Sequence, residues 1–192
     1  MFDVARTKIA AGMRRMIPAR LARRFVRRQD GAAAVEFALV ALPFLALTFA
    51  ILETALVFFA GQTLEAAAAD SARLIMTGQA QTGGFDKDAF KNAVCEHVYG
   101  LFDCTNGVYV NVQTYTDFSS GATAINTSPI TNGTFDTSKM QYNPGGPGDI
   151  VVVTLYYQWP IYVSLLGNNL NDLNGGNRLL VATSVFRNEP YQ

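Results

Sequence analysis

The feature that most constrains this chain is one long apolar run, from Phe37 to Ala60, in which Glu53 is the only charged residue. As an α-helix the run rises about 36 Å at about 1.5 Å per residue, and the hydrocarbon core of a bilayer is about 30 Å thick. Its large aliphatic and phenylalanine side chains favour insertion by roughly 4 to 8 kcal/mol, against about 3 kcal/mol lost for Glu53 at worst. We therefore predict one transmembrane helix at 32–60.

Pro43 lies inside this run. A proline there removes one backbone hydrogen bond and is expected to kink the helix. Membrane helices tolerate such a defect where neighbouring groups satisfy the freed carbonyl. The sequence thus predicts a single spanning helix that is kinked at Pro43.

The net charge of +0 hides a strong asymmetry between the two ends of the chain. Residues 1–31 contain nine lysines and arginines and two acidic residues, a local net charge of +7, and the remainder carries −7. A basic flank before a spanning helix favours a cytoplasmic N-terminus. We therefore expect 1–31 to be a cytoplasmic leader and 61–192 an extracytoplasmic domain, in the periplasm of a bacterium.

Two other interpretations of the basic flank fit the sequence less well. A nucleic-acid or lipid-surface patch explains the charge less well than topology does, because the flank directly precedes the apolar run. In a cleavable secretory signal, both the basic region and the apolar region are normally shorter than they are here. No nucleic-acid partner is expected.

Helical spacing of apolar residues continues beyond the membrane segment and predicts a helix at 61–77, ended by Gly78. A second helix is expected at 86–100, with Asp86 positioned to cap its free amides.

Three segments have the composition of β-strands: 108–116, 150–159 and 179–187. The second is apolar nearly throughout, which predicts a central strand covered on both faces. The expected fold class is α+β: a long N-terminal transmembrane helix continues into a small periplasmic domain, in which an antiparallel sheet packs against helices.

Between the first two strands, the segment from Phe118 to Asn143 is rich in serine, threonine, asparagine and glycine. A structureless loop of that length is unusual inside a compact domain. We expect either a hairpin around Thr123 to Asn126 or an exposed functional loop.

Cys95 and Cys104 are the only two cysteines. In an oxidising compartment they would form a disulfide, which stabilises the fold by roughly 2 to 3 kcal/mol for so short a loop. The alternatives are two buried free thiols, or a metal site that includes His97. Cys95 and His97 lie about 200° apart around a helix, so they do not readily converge on one ion. We expect no metal and no cofactor.

Catalytic patterns are weak throughout the sequence. His97 is the single histidine, and no nucleophile-elbow pattern occurs. The glycine clusters are not followed by the Gly-Lys-Ser/Thr sequence that ends a phosphate-binding loop. We expect no enzymatic activity and no small-molecule substrate.

Two glutamates fall in or beside the apolar run. Glu53 is either an interfacial residue reaching toward water or a buried contact with another subunit, and thus a candidate assembly contact. Glu36 is either a carboxylate favoured by a helix N-terminus or a group with a specific partner.

The segment Arg27-Arg28-Gln29-Asp30-Gly31, followed by Ala-Ala-Ala-Val-Glu-Phe and the apolar run, resembles the processing site of type IV prepilins. It most resembles the TadE-like pseudopilins of the tight-adherence (Tad) system. The resemblance implies that a prepilin peptidase cuts after Gly31 and leaves Ala32 as the new N-terminus. It also implies that Glu36 and Phe37 serve recognition and assembly.

The major pilins of that system typically show Glu-Tyr and are much shorter, whereas this chain has Glu36-Phe37. The resemblance therefore implies a non-catalytic minor pilin or pseudopilin, single-pass in the inner membrane, whose partners are the peptidase, other pilins and the Tad assembly platform. The alternative is an uncleaved, membrane-anchored periplasmic binding or adhesion module.

Overall fold

The structure is a computed structural model and describes residues 31–98, 100–125, 127–162 and 170–191. The chain divides into two compact units, Met1–Leu45 and Ala46–Gln192. In the first unit the described part is Gly31 and the beginning of helix α1. The predicted leader up to residue 30 lies outside the described residues. The second unit contains the rest of α1 and every other element described below.

Helix α1 spans Ala32–Met76, 45 residues, and Pro43 lies inside it. It ends close to the predicted position because Gly78 adopts a left-handed conformation with φ of 77°, which favours glycine. The chain then makes one short helical turn, α2, at Gln79–Thr82. The long N-terminal helix is thus confirmed, and the kink expected at Pro43 stays a prediction.

Helix α3 spans Lys87–Glu96 and begins as the sequence predicts, because the Asp86 carboxylate accepts a hydrogen bond of 2.7 Å from the Ala89 amide. The expected end at residue 100 is wrong. The amide of Val98 donates to the carbonyl of Cys95, a tighter turn than an α-helix makes, so the chain leaves the helix axis early. The next helical turn, α4, is at Cys104–Gly107.

Three long strands form one antiparallel sheet: β1 at Val108–Tyr115, β4 at Ile150–Pro160 and β5 at Asn177–Arg187. The strand order is β1-β4-β5, so the strand predicted to be central is central. Five consecutive β4 residues, from Val151 to Leu155, are buried, which confirms that both faces of this strand are covered. The fold class is therefore α+β with an antiparallel sheet, as predicted.

One face of the sheet belongs to the main hydrophobic core. The second half of α1 and the buried face of α3 contribute to the same cluster as the inward valines of β1, for example Leu64, Phe90 and Val110. On the sheet, Val110 pairs with Leu155, which pairs in turn with Ala182. The long helix is therefore part of the core of the second unit.

On the opposite face of the sheet, the segment at 118–143 packs against β1 and β4, and here the sequence prediction was wrong in detail. The proposed hairpin around Thr123 to Asn126 is absent from the described residues there, because Phe118–Ile125 forms helix α5. A two-stranded hairpin follows, with β2 at Ile130–Thr131 and β3 at Thr134–Phe135. It lies several residues later than expected.

Candidate functional site

Gly31 directly precedes the first residue of α1, and residues 31–40 are all exposed. Among the described residues, a side-chain carbon added to Gly31 would meet no neighbouring atom within 4 Å. Ala32 and Glu36 are four residues apart in the helix, so they are neighbours on one face. The structure therefore presents Gly31, Ala32, Glu36 and Phe37 on one exposed segment, where cleavage and recognition remain predictions.

The first part of α1 exposes an unusual number of large apolar side chains. They begin at Val35 and end at Phe59, and Phe37, Leu42 and Phe58 are each more than 70% exposed. The most apolar stretch of this helix has a mean hydropathy of 2.3 and none of it is buried within the chain. By length and composition α1 is a candidate membrane span.

Glu53 lies further along α1, between exposed apolar side chains such as Leu52 and Leu56, but its own side chain is only 7% exposed. One carboxylate oxygen, Oε1, accepts a hydrogen bond from the backbone N–H of Tyr162, just after the end of β4. The expectation that Glu53 reaches toward water is therefore wrong, because its own chain covers it. A contact between Glu53 and another subunit remains a prediction.

Tyr162 is the functional candidate that sequence reasoning missed. It is 109 residues away from Glu53 along the chain, and its bond is made by the backbone, which no side-chain pattern reveals. The phenol side chain of Tyr162 is 83% exposed. Only the preceding Pro160, which ends the apolar strand, hinted that the chain turns there.

Cys95 and Cys104 form the predicted disulfide, with their Cα atoms 5.6 Å apart. The bond ties α3 to α4, and the Lys91 ammonium group adds a hydrogen bond of 2.8 Å to the carbonyl of Thr105. Both sulfur atoms are thereby removed from the alternative metal site with His97. That histidine lies at the end of α3, and its Nδ1 atom is instead 3.7 Å from the carboxylate of Asp70 on α1.

A polar cleft of about 380 Å³ lies between the sheet and the residues that follow α5. On its floor the amide nitrogen of Gln113 donates to Asn111, and the Tyr115 hydroxyl donates to Gln113. Burial raises the pKa of the nearby Tyr156 phenol above its ordinary value. These floor groups bond to one another, and among the described residues that line the cleft no buried side-chain group lacks a hydrogen-bond partner.

These observations define the class of protein first: an α+β chain whose long apolar N-terminal helix, a candidate single-pass membrane anchor, continues into a small disulfide-bonded domain with an antiparallel sheet. Residues 31–73 match the model of the family described as TadE-like protein. This confirms the resemblance over Gly31 and nearly all of α1. No curated protein and no solved structure matches the chain.

Proposed function

We propose that this chain is a non-catalytic minor pilin or pseudopilin of a Tad-type pilus, cleaved after Gly31 by a prepilin peptidase. The observation that carries the proposal is the match of residues 31–73 to the TadE-like family. The first part of the matched helix, from Val35 to Phe59, exposes most of its large apolar side chains. A helix of this kind can leave lipid for lateral packing with other helices without exposing a polar surface.

Gly31 and Ala32 suit a processing site for simple steric reasons. Gly31 has no side chain, and no described residue crowds it, so a protease can approach its backbone in an extended conformation. After the cut, the new amine of Ala32 would lie about one helical turn from Glu36. An amine and a carboxylate at that spacing form a charge-assisted pair, in the same subunit or between neighbouring subunits.

The proposed topology places the N-terminus in the cytoplasm and the sheet domain in the periplasm, with α1 spanning the inner membrane once. The charge of +7 before the helix supports this orientation. The disulfide between Cys95 and Cys104 supports it independently, since such bonds persist in oxidising compartments. A reporter that works only outside the cytoplasm should be active when fused after Gln192 and inactive when fused before the helix.

The proposed partners are the membrane, the prepilin peptidase, other pilins or pseudopilins and the Tad assembly platform. We propose no catalytic role for this chain. The competing function is a permanently anchored periplasmic module that keeps its leader. The two differ in the N-terminus of the protein found in cells.

Variants at Gly31 and Glu36 test the proposal directly. Gly31→Phe should block maturation and leave a heavier species on a gel, because a bulky side chain obstructs the cut. Glu36→Ala should reduce pilus assembly, whereas Glu36→Asp, which keeps the carboxylate, should have a milder effect. Glu65→Ala is the matched control, since Glu65 is an exposed glutamate of the same helix outside the processing segment.

The readouts are the size of the protein and the number of pili per cell. If Gly31→Phe and the unaltered chain have the same size in cells with an active peptidase, the proposed cleavage does not occur. If Glu36→Ala and Glu65→Ala assemble equally well, Glu36 has no specific role. Both results together would favour the anchored-module function.

A further inference from the structure

The apolar surface of α1 and the folded domain overlap along the helix axis. Large exposed apolar side chains continue to Phe59, and none follows on α1 beyond that residue. Glu53 lies six residues before Phe59, about 9 Å further toward the N-terminus at about 1.5 Å per residue. If α1 spans a membrane, Glu53 therefore lies within the apolar stretch rather than above it.

Over that same interval, one side of α1 is buried within the second unit, to which this part of the helix also belongs. Glu53 is 7% exposed, Val57 6% and Ala60 0%, and these three residues recur at helical spacing on one face. On other faces, Leu56 and Phe59 are 50% and 61% exposed. The helix thus has one face against its own domain and the others free for lipid over roughly its last 9 Å of apolar surface.

Tyr162 belongs to the part of the domain that contacts α1 at the position of Glu53. Its backbone N–H donates to the Glu53 carboxylate, and helical side chains lean toward the N-terminus, which for Glu53 is further into the apolar stretch. An unpaired N–H at the edge of hydrocarbon is costly. Glu53 avoids that cost by accepting the hydrogen bond. Pro160, two residues before Tyr162, has no N–H that needs a partner.

The Tyr162 side chain is of a type that favours the boundary between membrane and water. It is 83% exposed, and tyrosine is enriched where a membrane meets water because its ring is apolar and its hydroxyl is polar. Glu53, Tyr162 and the exposed Phe58 and Phe59 therefore occur together where α1 would emerge from the bilayer.

We propose that the Glu53–Tyr162 hydrogen bond seats the folded domain in the membrane interface, with the Tyr162 side chain among the lipid headgroups. The partner is the lipid surface itself. The inference rests on the membrane span of the proposed function and not on cleavage at Gly31. A domain seated in this way has a fixed depth in the bilayer, and extraction of the helix must remove Tyr162 from the interface.

Depth-dependent fluorescence quenching tests the proposal on the full chain in lipid vesicles. Trp159, the only tryptophan, is first replaced in Trp159→Phe. Single tryptophans are then introduced with Tyr162→Trp, with Leu47→Trp as a probe inside the span and with Tyr109→Trp as a probe on β1. The vesicles contain lipids brominated either near the headgroup or near the end of the acyl chain.

We expect strong quenching at position 162 by bromine near the headgroup, weaker quenching there by bromine at the chain end, and none at position 109. Quenching at position 47 with none at position 162 would contradict the placement of Tyr162 in the membrane interface, while the membrane span itself would stand. Absence of quenching at 47 would instead contradict the span itself, and with it the membrane part of the proposed function.

The role of Glu53 is tested by adding Glu53→Ala or Glu53→Gln to the chain with tryptophan at 162. Glutamine retains an oxygen that can accept from the Tyr162 N–H, and alanine does not. Headgroup-level quenching at 162 should persist in Glu53→Gln and fall in Glu53→Ala. Equal quenching in both variants would refute the claim that this hydrogen bond holds the domain in place.

Discussion

The end of α1 offers the sharpest test of how this fold is held together. Gly78 has φ of 77°, and a side-chain carbon added to it would overlap the ring of Tyr191. The same C-terminal segment is tied to the helix by the Glu189 amide, which donates to the carbonyl of Met76 at 2.8 Å. Gly78→Ala should therefore impose two costs, one from the backbone conformation and one from the displaced ring.

The two costs can be separated with a second glycine. Gly84 has φ of 64°, and an added carbon there meets nothing within 4 Å. Gly84→Ala should lower the free energy of unfolding by about 1 to 2 kcal/mol, the cost of a left-handed alanine. Gly78→Ala should lower it by about 2 to 5 kcal/mol, since forcing a side chain into occupied space typically costs a further 1 to 3 kcal/mol or so.

Urea unfolding of the full chain in detergent micelles, followed by the fluorescence of Trp159, measures both values. Trp159 suits the purpose because it packs edge-on against the buried ring of Phe102. In a Tyr191→Ala background, the cost of Gly78→Ala should fall to that of Gly84→Ala. If Gly78→Ala and Gly84→Ala cost the same in the natural background, the Tyr191 ring does not brace the end of the helix.

Two further predictions concern the disulfide and a buried phenol. Replacing Cys95 and Cys104 together by alanine should lower the free energy of unfolding by about 2 to 3 kcal/mol, because the bond closes a short loop; equal stability of the variant and the oxidised chain would show that the bond does not constrain the unfolded state. Burial, with the nearby Asp86 charge, raises the pKa of Tyr142 to about 12 from 10.0, so its contribution to stability is present below pH 10 and lost as the pH rises toward about 12. Tyr142→Phe should abolish that alkaline loss of stability, as measured by urea unfolding at a series of pH values. At neutral pH the variant should be as stable as the unaltered chain or more stable, because the buried hydroxyl has no partner among the described residues. If the alkaline loss is unchanged in the variant, another group causes it.

Local signals in the sequence were sufficient for the long helix, the cap of α3 and the three long strands. The apolar run and Gly78 mark the extent of α1, Asp86 marks the start of α3, and strand-like composition marks β1. Each of these signals acts within a few residues. For that reason single-sequence reasoning recovers them without knowledge of the tertiary fold.

Helix α5 was missed because its own residues favour it only weakly. Serine, threonine and glycine are modest or poor helix formers, and the helix depends on contacts outside it. The Asp117 carboxylate accepts a hydrogen bond of 2.7 Å from the Ser120 amide, which lowers the pKa of Asp117 below its ordinary value. Gly121 lets the helix approach β4 closely, since an added carbon there would lie 3.3 Å from Val152.

The hairpin, by contrast, carried a signal that the sequence reasoning overlooked. Asn132-Gly133 is the dipeptide most typical of a two-residue hairpin turn, and both residues have positive φ, 51° and 72°. The Glu53–Tyr162 bond had no comparable signal. It joins a side chain to a backbone amide across most of the domain, and only the folded structure brings the two together.

The central claim, that this is a processed TadE-like pseudopilin, is tested most directly by the N-terminus of the protein in its own membrane. The chain should be extracted from cells that contain an active prepilin peptidase and subjected to N-terminal sequencing and intact-mass measurement. The account predicts Ala32 as the first residue and a mass lower by that of residues 1–31. A protein that still begins at Met1 would contradict the assignment and favour a permanently anchored module.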